Sequence, residues 1–189
     1  MTLHDNARIT SLRTQLTQVR TELRDALAEA ARMETADHVF DTLEGPVTLS
    51  SLFGGKRALF VIHNMGVTCP NCTMWADGFN GLYPHIADRA AFVLVSPDAP
   101  ETQAAFAAGR GWKFPMVSDG SKAFLRAMGF INESGRATPG VSAFQKAGAK
   151  IQRVSAAAFD PDDDFCPTWR LFDMLPEGAD GWRAQFKYG

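Results

Sequence analysis

Cys69 and Cys72 stand with two residues between them in the run Met65-Gly66-Val67-Thr68-Cys69-Pro70-Asn71-Cys72-Thr73-Met74-Trp75. A Cys-x-x-Cys pair does one of two kinds of chemistry. It exchanges electrons with disulfides, or it supplies half of a metal site. The flanking pattern bears on that choice. Arg57–His63 holds the continuous apolar run Ala58-Leu59-Phe60-Val61-Ile62, which predicts a strand buried on both faces and ending just before the pair. Pro70 suits a first helical turn, because its missing N–H would be unpaired there anyway. A helix therefore begins at the pair. Its first turn carries unpaired N–H groups and a partial positive charge, and both stabilise a thiolate at Cys69. The thiolate is the attacking species, so lowering the pKa is the activating step. Cys72 lies one turn further on, within reach to resolve a mixed disulfide. Cys69 is thus expected to be the nucleophile and Cys72 the resolving thiol.

The remaining residues of chemical interest are fewer. A structural zinc site needs further Cys or His ligands, commonly a second pair. Cys166 has no Cys or His nearby in sequence, and the histidines are His4, His38, His63 and His85. Binding of zinc or copper by Cys69, Cys72 and a histidine stays open as a second reading, with no metal site assigned. Cys166 reads as a small buried hydrophobe, with a third redox role as the alternative. Trp75 and Trp112 read as core or site-wall aromatics. Gly109-Arg110-Gly111-Trp112 lacks the spacing of a phosphate cradle. No cofactor is expected.

Bulk properties narrow the field. The 189 residues suffice for one domain with an accessory element. Net charge is -2 and the pI is about 6.1, neither suited to nucleic acid or an anionic membrane. Three cysteines are too few for a disulfide-stapled scaffold. Met1 to Arg20 is polar, without the apolar core of a secretory signal, and no run is long enough to cross a bilayer. The cytoplasm is the expected compartment.

The positioning elements follow from periodicity. Residues 6–34 read as one helix, with Ile9, Leu12, Leu16, Val19, Leu23 and Leu27 on one face. That stripe either packs on its own domain or pairs with a second subunit, so a homodimer through this helix stays open. The expected division is an N-terminal helix over 1–37 and a domain over 38–189. Val39–Leu43 and Pro46–Leu49 form a hairpin around Glu44–Gly45. Ser50–Phe53 leads to a break at Gly54–Gly55. Helices are predicted over Pro70–His85, over Pro100–Ala108 closed by Gly109, and over Lys122–Met128. Strands are predicted at Ala91–Ser96 and Met116–Ser118, with an antiparallel pair at Val141–Phe144 and Lys150–Val154. A terminal helix is expected over Asp160–Leu175, its acidic start favoured by the helix dipole and Pro167 a point of interruption. The fold class is an α/β sandwich with a mixed central sheet.

From His38 to Gly129 the chain resembles the thioredoxin superfamily, on its peroxiredoxin-like and thiol-reductase-like branch. The resemblance rests on Leu43-Glu44-Gly45-Pro46-Val47-Thr48-Leu49, the cysteine junction, Val95-Ser96-Pro97-Asp98 and Phe114-Pro115-Met116-Val117-Ser118-Asp119. More closely, Cys69 to Gly81 and the closing Trp169-Arg170-Leu171-Phe172-Asp173-Met174-Leu175-Pro176-Glu177-Gly178 are similar to a bacterial thioredoxin-like family of unknown function, described as predicted dithiol–disulfide oxidoreductases. This implies a thioredoxin-like sandwich with a peroxiredoxin-like hairpin, a disulfide or dithiol substrate and a separate electron donor.

The resemblance also implies site residues. Thr138-Pro139 matches the superfamily's cis-proline, which lies against the active pair and binds substrate backbone, and Pro115 is the rival position. Thioredoxins carry a buried acid six residues before the nucleophile, and that position here is His63. An imidazole there could relay the proton of Cys72. Departures matter equally. Peroxiredoxins need Thr three residues before the peroxidatic cysteine, and Gly66 stands there, which counts against peroxidase activity. The third reading, a redox-inert assembly module led by the N-terminal helix, also stays open.

Overall fold

The computed structural model describes residues 6–148, 150–161 and 163–189. Residues 1–5, Ala149 and Asp162 fall within the expected N-terminal helix segment, hairpin turn and acidic run, and lie outside the described residues.

The apolar run becomes β4 (Ala58–His63), paired in parallel with β5 (Ala91–Ser96) and antiparallel with β7 (Gly140–Ala147). Being flanked on both edges and covered on both faces, it has no polar side to show, which is why its sequence does not alternate. Helix α2 (Pro70–Arg89) crosses from β4 to β5, and α3 (Pro100–Arg110) crosses from β5 to β6 (Met116–Ser118). β8 (Lys150–Ala158) forms a hairpin with β7, and β1 (Met33–Thr35) pairs with the outer edge of β8. At the other end the hairpin of β2 (Val39–Thr42) and β3 (Gly45–Thr48) joins β6. The sheet of eight strands runs β1-β8-β7-β4-β5-β6-β2-β3. The expected α/β sandwich with a mixed sheet is therefore observed.

Two apolar layers lie on the two faces of this sheet. β4 sends Leu59 and Val61 to one layer, with Phe53 of the short 3-10 turn Ser51–Phe53 and with Phe124 and Leu125 of α4 (Ala123–Ala127). It sends Phe60 and Ile62 to the other, with Trp75 and Phe79 of α2, Phe106 of α3 and Trp169 of α5 (Pro167–Phe172). Period-two alternation thus assigns each strand residue a layer.

Several boundaries differ from expectation. The first helix, α1, spans Ala7–Ala31 rather than running to residue 34, because Met33–Thr35 is drawn into the sheet as β1. The Asn6 side chain caps it by accepting from the Ile9 amide at 3.1 Å. α3 runs through Gly109 and closes at Gly111, whose φ of 69° provides the left-handed cap. The terminal helix is confined to Pro167–Phe172. Upstream of it the Asp163 carboxylate accepts from the amides of Asp160 (2.9 Å), Phe165 (2.7 Å) and Cys166 (3.2 Å). Such local bonds compete with helix formation, and Pro167 begins the helix rather than interrupting it.

Gly140 is where the packing tolerates least. A Cβ there would overlap the Phe130 ring and the Ala157 carbonyl. Gly78, exposed in α2, has nothing within 4 Å of the same point. Opposite outcomes are expected in urea denaturation. Gly140→Ala lowers the unfolding free energy by about 1–3 kcal/mol or more, whereas Gly78→Ala raises it by about 0.5–1 kcal/mol.

Candidate functional site

The loop 64–68 connects the end of β4 to the start of α2, and its course is held by two side chains. The Asn64 side-chain oxygen accepts from the Gly66 amide at 2.8 Å, while the Asn64 backbone N–H donates to the Val95 carbonyl at 2.9 Å. Asp98, just beyond β5, accepts from the Val67 amide at 3.0 Å and from the Ser96 hydroxyl at 2.9 Å. Buried Gln103 of α3 secures Ser96, donating to its hydroxyl and to the Val117 carbonyl, each at 2.9 Å. Gly66 has a φ of 114°, and a Cβ on it would sit 2.9 Å from the Asp98 carboxylate. Both the left-handed backbone and the close carboxylate require glycine here.

This loop delivers Cys69 to the N-cap of α2, with Pro70 at the first turn as the sequence predicts. The Cys69 sulfur accepts from the Cys72 amide at 3.1 Å. It is half-buried, and Cys72 behind it is buried. The Cys72 thiol donating to the Cys69 sulfur draws the Cys69 pKa down from 9.0 to about 7. The amides of Cys72 and Asn71 help, and burial opposes them. The same contact, with burial, pushes Cys72 upward, so it keeps its proton while Cys69 is charged. The two cysteines are thus joined through the Cys72 amide and electrostatically differentiated, as the expected attacking and resolving roles require. The Met65 thioether lies 4.0 Å from the Cys69 sulfur on the exposed side.

His63 makes no bond to the pair among the described residues. Its position on β4 has the parity of Leu59 and Val61, so its ring enters the layer opposite α2. There it stacks on Phe130 at 3.7 Å and Phe124 at 5.6 Å, and its Nε2 bonds the Ser142 hydroxyl at 2.8 Å. Burial, aided by Arg153, lowers its pKa to about 3. The relay expected from sequence counting has no hydrogen-bond route from this ring to Cys72 among the described residues.

Thr138 and Pro139 enter β7 beside the end of β4, where Gly140 pairs with His63. They therefore lie at the same end of the sheet as the cysteine loop, both half-buried. The expected cis geometry is not found: every described peptide bond is trans, at Pro139 and Pro115 alike. The Pro139 carbonyl accepts from Phe159 at 3.0 Å and the Thr138 amide donates to Phe130 at 2.9 Å, so the segment is already bound as extended chain. Cys166 is buried in the α2 layer with Trp75 and Trp169, as expected of a small hydrophobe. Among the described residues no three Cys, His, Asp or Glu side chains gather as a metal site. No described helix is long and apolar enough to cross a membrane.

Sequence reasoning missed Asn64, Gln103 and Asp98 as parts of this site. Ser96-Pro97-Asp98 is visible as a pattern, but its contact with Val67 spans 31 positions, and spacing rules see only one or two turns.

Comparison with known proteins agrees with the fold. The family model described as bacterial protein of unknown function (DUF899) matches residues 3–187. A peroxiredoxin Bcp of Xanthomonas campestris is 32% identical over 102 residues, covering 53% of this chain and 59% of that protein. The match thus spans about three fifths of this relative's length. Among solved structures, Xanthomonas campestris peroxiredoxin Q is 26% identical with a TM-score of 0.55, covering 65% of this chain and 80% of that one. Peroxidoxin BcpB of Mycobacterium tuberculosis is 22% identical with a TM-score of 0.59, covering 68% and 84%. The fold is thioredoxin-like, of the peroxiredoxin type, and the chain is a member of the thioredoxin superfamily.

Two pH effects follow from the site. The Cys69 alkylation rate should rise with a midpoint at pH about 7. Gly66→Ala, which displaces the loop, should move that midpoint toward 9.0. His63 gives the second effect. The unfolded chain protonates it below about 6.5, while the folded chain keeps it neutral until pH about 3. Its stabilising contribution is therefore complete above 6.5 and is lost as pH falls toward 3. Denaturation at pH 7 and pH 5 should differ by about 2 kcal/mol from this group, and His63→Gln should flatten the slope.

Proposed function

The chain belongs to the DUF899 family of bacterial proteins of unknown function, and on that premise we propose that it is a dithiol–disulfide oxidoreductase. The observation that carries the reading is the differentiated pair at the start of α2, with the Cys69 sulfur accepting from Cys72 and its pKa near 7. A thiol with a pKa near ambient pH combines a large thiolate fraction with retained nucleophilicity. Cys69 attacks one sulfur of a substrate disulfide, forming a mixed disulfide and releasing the other sulfur as a thiolate. Cys72 then attacks the Cys69 sulfur. The Cys69–Cys72 disulfide forms, the second substrate thiol leaves, and the proton of Cys72 passes to the released thiolates or to water. Two electrons have moved from protein to substrate, and a dithiol donor restores the pair. Half-buried Thr138 and Pro139, at the same end of the sheet, and exposed Met65 are the groups that would meet the substrate chain. The metal-binding reading finds no group of three Cys, His, Asp or Glu side chains to draw on among the described residues.

A second reading uses the same sulfur on a peroxide. The relatives named above are peroxiredoxins, and one of the solved structures, the bacterioferritin comigratory protein of Xanthomonas campestris, is described in terms of alkyl peroxide reduction. Here the Cys69 thiolate would cleave the O–O bond, giving a sulfenic acid and an alcohol, or water from hydrogen peroxide. Cys72 would then expel water and close the disulfide. Gly66 occupies the position at which peroxiredoxins use Thr, which keeps this reading second.

Intact mass with alkylation mapping separates the two. With a disulfide substrate, wild type should gain a Cys69–Cys72 bridge, Cys72→Ser should accumulate a substrate adduct on Cys69, and Cys69→Ser should do neither. If hydrogen peroxide oxidises Cys69 in Cys72→Ser while disulfides leave it untouched, the peroxide reading replaces the first. If neither oxidant touches Cys69, both fail.

A further inference from the structure

We infer that α1 is a self-association surface through which two copies of this chain pair in antiparallel orientation. The inference is independent of the redox reading.

The helix has 25 residues, of which only Ala31 is buried. Its apolar stripe faces solvent: Leu12 is 53% exposed, Leu16 49%, Val19 57% and Leu23 55%. With Ile9 and Ala26 these alternate three and four apart, the spacing of a seam between two helices. The chain itself holds α1 by polar contacts at Arg20, which borders the stripe, and at the end of the helix. Arg20 forms a two-pronged ion pair with Asp164 at 2.8 and 3.0 Å. Arg153 donates to the Ala31 carbonyl at 2.8 Å. Packing of an apolar face is the usual source of a protein helix's stability.

Charge identifies what covers the stripe. From Ala7 to Arg20 the helix carries Arg8, Arg13 and Arg20 and no acid. From Thr21 to Ala31 it carries Glu22, Asp25 and Glu29 against Arg24 alone. The first turn has no acidic residue and the last turn no basic one. This order opposes the helix dipole, which favours acids at the start and bases at the end. The chain therefore carries an unfavourable arrangement within its own helix. An antiparallel copy removes the conflict. It sets Arg8 and Arg13 of each helix beside the acidic half of the other, leaves Arg20 to its own Asp164, and opposes the two dipoles. A parallel copy would set like beside like.

The register follows. A two-fold axis between Leu16 and Val19 places Leu16 against Val19 of the second copy and Leu12 against its Leu23. Arg8 then lies beside Glu29 of the second copy, and this pair occurs twice because the interface is isologous.

Sedimentation velocity of the full chain in reductant, which excludes intermolecular disulfides, tests this. Wild type should be a dimer at micromolar concentration. Leu16→Glu with Val19→Glu should raise the dissociation constant by about a hundredfold or more, since four carboxylates then line the seam. Both positions are solvent-facing in the single chain, so the Cys69 alkylation rate and the near-ultraviolet circular dichroism should stay unchanged and report an intact domain, while the melt loses only its dependence on protein concentration. Arg8→Glu or Glu29→Arg alone should weaken the dimer by about tenfold, and the two together should restore it. A monomeric wild type overturns the inference. So does a dimer indifferent to Leu16 and Val19, or a charge swap that adds to the damage of each single change.

Discussion

At the start of α2 one sulfur receives hydrogens that the helix has no carbonyl to accept. The Cys69 sulfur takes the Cys72 amide at 3.1 Å, the neighbouring Cys72 thiol lowers its pKa further, and most of what surrounds the pair serves to hold that contact. An orphan N–H at a helix start needs an acceptor. A charged sulfur is a stronger one than a neutral thiol, so satisfying the helix and activating the nucleophile are the same event. Burial works against it, and the outcome, near 7 rather than near 9.0, shows that the donors win. The contact also divides labour between chemically identical groups. Whichever sulfur sits at the cap becomes the base, and the one inside the first turn keeps the proton.

Holding that sulfur in place requires the chain to turn sharply between a buried strand and a helix. The turn is fixed from two sides, by Asn64 bound back to β5 and by Asp98 reaching across from the next strand end. Asp98 is itself tied through Ser96 to Gln103 of α3, so the first two crossovers of the sheet share one polar network. His63 supports the same junction from the other side. Wedged between phenyl rings and bound to Ser142, it fixes the end of β4 without touching the sulfurs. Its counterpart across the strand, Gly140, makes room for Phe130 to lie flat on the imidazole.

The parts of this arrangement written in short-range pattern were legible in the sequence. The unbroken apolar run of β4, Pro70 and the cysteine spacing together located the strand, the helix start and the pair. Patterns depending on partners distant in sequence were not legible. Asp98 meets Val67 only because β4 and β5 are neighbours, and β1 exists only because β8 offers an edge. The acidic run after β8 read as a helix start, yet Asp163 uses its carboxylate on local amides instead. For His63 the count along the chain was right about position on the strand and silent about the face, and the face decides what a side chain can reach.

The account stands on the proton shared within the cysteine pair, and thiolate absorbance near 240 nm as a function of pH measures it directly. Wild type should show one thiolate titrating at pH about 7, assigned to Cys69 by its absence in Cys69→Ser. In Cys72→Ala the largest of the lowering contacts is gone, and the midpoint should climb toward 9.0. A wild-type midpoint already near 9.0, or one that Cys72→Ala leaves in place, would contradict the claim that Cys72 sets the reactivity of Cys69.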